Sequence, residues 1–95
     1  MAPRPMEQRV HGDQARQGLE VVSRDGRHFL RYDAGAHQSA WREDEITAEE
    51  FAQLRRGPNG EHQTVLDVQR RLQQAGIDPY RPNWTPPDHR QGTPS

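Results

Sequence analysis

The side chains able to do chemistry here are five histidines, fourteen carboxylates, thirteen arginines and a few hydroxyls, with no cysteine at all. A metal site needs about three converging ligands at usable spacing. His11, His28, His37, His62 and His89 form no HxH, HxxxH or HExxH pattern, so neither metal nor cofactor is expected. Three adjacent carboxylates, Glu43-Asp44-Glu45, lack the glycine turn and further oxygen ligands of a calcium loop. They read as solvated charge ahead of a helix start, with docking to a basic partner surface as the alternative.

Nucleophilic catalysis finds no better footing. Ser23, Ser39 and Thr64 lack a glycine-flanked elbow, and there is no thiol. Asp33 and His37, four apart, have the types of an orienter and a base, but a turn aspartate bonding its own backbone explains Asp33 more simply. No glycine run resembles a phosphate-binding loop. The chain is therefore not expected to be an enzyme.

Every basic residue is arginine, which codon usage in a GC-rich genome explains; the physical consequence is planar, bidentate contact throughout. Formal net charge is −1, so attraction to nucleic acid or an anionic membrane is not built in. No apolar run approaches bilayer length, and the first residues lack the apolar core of a secretory signal. A cytoplasmic setting is expected, and cysteine absence fits a reducing compartment.

The elements that must position these groups lie between Leu19 and Trp84, where nearly all large apolar side chains fall. Residues 1–17 and 85–95 are expected to be disordered tails around a single domain at 18–84. Within it, Asp25-Gly26 between two alternating segments is a strong hairpin signal. A two-residue loop sets Arg24 opposite Arg27, Val22 opposite Phe29, Val21 opposite Leu30, Glu20 opposite Arg31 and Leu19 opposite Tyr32. Leu19, Val21, Leu30 and Tyr32 then share a core face, with His28 on the same side near the turn. Glu20, Val22, Arg24, Arg27, Phe29 and Arg31 share the other. Gln38–Arg42 is read as an optional third strand.

Thr47-Ala48-Glu49-Glu50 is a capping box, with Ile46 and Phe51 as a hydrophobic staple, so a helix is expected over 48–56. A second helix is expected after Asn59-Gly60, with Asn59 as N-cap and Val65, Val68, Leu72 and Ala75 as its buried stripe. Gly76-Ile77 reads as its Schellman stop. Tyr80 and Trp84 follow in a proline-bounded stretch expected to lie back over the domain. A DNA-reading helix pair is disfavoured, because the second helix opens with Glu61 and His62.

The expected fold is α+β, a small antiparallel sheet packed on a two-helix hairpin in the order β-β-(β)-α-α. The expected function is that of a small non-enzymatic protein of the bacterial accessory, adaptor or toxin-neutralising kind, binding another protein. Its contact surface is placed at Val22, Arg24, Arg27, Phe29 and Arg31, with Trp41 and the acidic run Glu43-Asp44-Glu45 as neighbours, since aromatic plus arginine is the composition of interface anchors. Nucleic acid gripped by the same arginines is the rival reading, cover of the apolar Val22–Phe29 pair by the third strand, Trp41 or the segment after Pro79 is the structural one, and a homodimer through an exposed edge is a further outcome.

Overall fold

A computed structural model describes residues 7–35 and 38–86. Asp25 and Gly26 take φ of 56° and 75°, the positive pair that a type I′ reversal requires. Between strands β2 (Leu19–Arg24) and β3 (Arg27–Asp33) the expected pairs all form, from Arg24 with Arg27 out to Leu19 with Tyr32.

Strand β4 (Trp41–Ile46) pairs antiparallel with β3. It lies downstream of the expected Gln38–Arg42 and takes in the acidic run, a correction with an electrostatic cause. Glu43 and Glu45 meet Arg31 and Arg27, while Asp44 meets Arg42 on the opposite face. Ahead of it, Asp33 Oδ1 accepts from the Gly35 and Ala40 backbones at 2.9 and 2.8 Å and closes the connecting loop.

Residues 7–17 require the largest correction. Expected as part of a disordered tail, they form strand β1 (Glu7–Asp13) and a one-turn helix, α1 (Gln14–Gln17). Asp13 caps α1 through the Ala15 and Arg16 N–H groups, and Gly18 ends it at φ 74°. β1 pairs antiparallel with β2, giving a four-stranded sheet in the order β1-β2-β3-β4. A strand with one apolar residue, Val10, carries no alternation to read; its backbone ladder to β2 holds it instead. Residues 1–6 and 87–95 of the expected tails lie outside the described residues.

Helix α2 (Ala48–Leu54) begins on both bonds of the capping box, Glu50 N–H to Thr47 Oγ1 and Thr47 N–H to Glu50 Oε1. It stops at Leu54 rather than 56. Helix α3 (Pro58–Gln74) starts earlier than expected, with Gly57 as N-cap and Pro58 at the first position, where its missing N–H costs nothing. Asn59 is thus inside the helix. The buried stripe is Thr64, Val68 and Leu72, with Val65 beside it. Ala75 is exposed and drops out of the stripe. The stop is as read: Gly76 has φ 79°, Ile77 N–H reaches Leu72 C=O at 2.9 Å and Gly76 N–H reaches Gln73 C=O at 3.0 Å.

Helices α2 and α3 pack on one face of the sheet. Val21, Leu30, Tyr32 and Ile46 from the strands join Leu54, Val68 and Leu72 from the helices in one core. His28 lies in this layer, its ring stacked on Phe51 at 4.4 Å. Among the described residues, the other sheet face carries no helix. Among the described residues, no helix is long and apolar enough to cross a membrane.

Candidate partner-binding face

Strand parity determines what the open face presents. Successive side chains point to opposite sides, so Glu20, Val22 and Arg24 of β2 share this face with Arg27, Phe29 and Arg31 of β3. By the same pairing, β4 adds Trp41, Glu43 and Glu45, and β1 adds Glu7 and Arg9. A bulge between Arg9 and His11 shifts the β1 register. His11 is thereby turned toward the helices, where Nε2 meets Glu61 Oε2 of α3 at 2.7 Å.

Arg31 is the hub of the face. Its Nε donates to Glu43 at 2.8 Å, Nη1 to Glu20 at 3.0 Å and Nη2 to Glu7 at 2.9 Å. Burial alone would lower its pKa, but the bonds to Glu20 and Glu43 prevail and raise it. Arg27 forms a two-pronged pair with Glu45, and its guanidinium pKa is raised while the Glu45 carboxyl is lowered. Arg24 is held by charge rather than by aligned bonds. Its Nη2 is 3.0 Å from Glu43 Oε1 but out of line for a hydrogen bond, and Nε has no acceptor among the described residues.

Phe29 sits among these charges, with the Arg24 guanidinium 4.2 Å and that of Arg27 5.5 Å from its ring centroid. Trp84, from the segment after α3, covers one end of the face. Its ring lies 4.5 Å from the Arg31 guanidinium and meets Trp41 edge-on at 6.1 Å.

The five expected contact residues and their neighbour Trp41 are therefore together on one face but unequally accessible. Val22 and Arg31 are buried, 1% and 9% exposed, because neighbouring strands and Trp84 close over them. They underlie the surface and do not form it. Arg27 is exposed, and Arg24, Phe29 and Trp41 are half-buried. Sequence reading missed Glu7 and Arg9 as members, whereas Trp84 belongs to the segment after Pro79 that was read as an alternative cover for this face. The acidic run was read as a neighbour of this surface, and the two-residue spacing of Glu43 and Glu45 brings both to the Arg27/Arg31 side of the ladder.

Other candidates disperse. Asp33 serves its loop as read, His37 lies outside the described residues, and His62 is exposed. No group of three metal-ligating side chains occurs among the described residues. Among the described residues, a cleft of about 400 Å³ beside Tyr80 and Pro82 is lined further by Ala34, Gly35, Gln38, Ser39 and Ala40. Comparison with family models, curated proteins and solved structures finds no match to this chain.

Proposed function

We propose that this chain is a small non-enzymatic protein that binds another protein through the open face of its sheet, in the manner of a bacterial accessory, adaptor or toxin-neutralising factor in the cytoplasm. The contact residues are Arg27, Phe29, Arg24 and Trp41, with Val22 and Arg31 as the buried support that keeps them rigid. One observation carries the reading: α2 and α3 lie on the same side of the sheet, and the side they leave open bears Phe29, Trp41 and Trp84 among paired arginines and glutamates. Antiparallel sheets commonly leave one face to water, but aromatic rings set among arginines are the composition of interface anchors.

The pairing of charges favours protein over nucleic acid. A phosphate approaching Arg31 would have to displace Glu7, Glu20 and Glu43 from it. A protein surface can instead exchange partners with the exposed Arg27–Glu45 pair. The test is affinity capture from native lysate by the wild type, by Phe29→Ala and by Arg27→Glu. Loss of one specific protein in both variants is expected. Recovery unchanged in both folded variants overturns the surface, and salt-sensitive retention on an oligonucleotide column would transfer it to nucleic acid.

A further inference from the structure

The outer edge of β4 is already occupied by another part of the chain. Trp41 C=O accepts from the Asn83 and Trp84 N–H groups at 3.0 and 3.3 Å. Asn83 Oδ1 accepts from Glu43 N–H at 2.7 Å, and its Nδ2 donates to Glu43 C=O at 3.2 Å. Those are the two bonds that a residue of a neighbouring antiparallel strand would make. Glu45 C=O accepts from Arg71 at 3.3 Å. The segment is anchored from below by Arg42, which is 4% exposed and donates through Nη1 to the Asp78 and Arg81 carbonyls. Trp84 then folds it over onto Arg31 and Trp41.

We propose that residues 78–84 are a strap that guards β4 against a second copy of this chain, and that a bared β4 pairs antiparallel with the β4 of that copy about Glu43. An uncovered edge strand is a template for such pairing. Charge selects the register. Centred on Glu43, the pairing sets Arg42 opposite Asp44 twice, in the positions where facing side chains approach most closely. Arg42 is the side chain that loses its carbonyl partners when the strap leaves, so the copy's carboxylate replaces them. The two Glu43 side chains face each other with their charge already met by Arg24 at 3.0 Å and Arg31 at 2.8 Å. At the opposite edge, β1 is protected differently. Its bulge at Val10 and the positive φ of Gly12 break the ladder that an incoming strand would extend. The inference stands independently of docking on the open face.

The experiment is sedimentation velocity over a concentration series on the wild type and on Asn83→Ala/Trp84→Ala, with amide hydrogen exchange on both. The wild type should sediment as a monomer. The double variant should associate as concentration rises, and association should protect the Glu43 and Glu45 amides. A wild type already paired through β4 overturns the proposal, as does a folded double variant that stays monomeric or associates with those amides exchanging freely. Should the double variant fail to fold, Asn83→Ala alone decides. Its Glu43 amide should exchange roughly tenfold faster, the ratio expected for one lost hydrogen bond, and an unchanged rate overturns the guard.

Discussion

At the scale of single residues, two arginines organise the sheet from opposite sides. Arg31 gathers three glutamates on the open face, and Arg42 does comparable work on the helical face. Arg42 holds Asp44 by two bonds of 2.9 and 2.8 Å, and the Tyr32 hydroxyl donates to the same carboxylate at 2.9 Å. Burial, and then the adjacent Asp44, push the Tyr32 hydroxyl pKa well above its ordinary 10.0. The sign of the effect on stability follows. The folded chain keeps a proton that the unfolded chain releases, so the contribution is complete below pH 10.0 and is lost as pH rises beyond it toward the folded value. Denaturant midpoints measured up the alkaline limb should therefore fall for the wild type and fall less steeply for Tyr32→Phe. Near neutrality the same variant should lose only about 1 kcal/mol, because Arg42 still satisfies Asp44. Parallel alkaline limbs would contradict this.

At the scale of elements, what was readable in the sequence was local. The Asp25-Gly26 turn, the Thr47/Glu50 capping box and the Gly76-Ile77 stop each close within a few residues, and each appears as read. The strand that escaped reading is the one whose reasons are distant. β1 depends on pairing with β2 and on a single backbone requirement at Gly12. There φ is 73°, and an added Cβ would sit 2.5 Å from Leu19 C=O. Gly12→Ala should accordingly destabilise the fold by about 2 kcal/mol through backbone strain and collision, measured by chemical denaturation. Gly18→Ala is the control, since its φ is similar but a Cβ there meets nothing within 4 Å. Equal losses in the two variants would mean that conformation alone, and not the approach of β2, sets the cost.

At the scale of the whole molecule, the sheet is a meander with unequal strands. β2 and β3 are interior and carry the buried Val21, Leu30 and Tyr32, whereas β1 is an edge strand whose residues are largely exposed. Local opening should follow that gradient. Amides of Val21 and Leu30 should exchange at or near the global rate, and those of β1 well before them. A β1 as protected as β2 would show that the edge opens only with the whole domain.

The sequence by itself determined the hairpin register, the capping box that starts α2, the glycine stop that ends α3 and the division of the hairpin into a core face and a charged face. Each of these is settled by backbone geometry and hydrogen bonds acting over a few positions, or by alternation along one strand. Only the tertiary structure decided that the charged face is a paired lattice partly roofed by Trp84, and that Val22 and Arg31 lie beneath it. Those outcomes join residues far apart in the chain, Arg31 with Glu7 across 24 positions and Arg42 with Arg81 across 39. Arginines and glutamates in a list do not say which will meet. Folding chooses the pairs, because a charge taken from water is tolerated only where an opposite charge is brought to it.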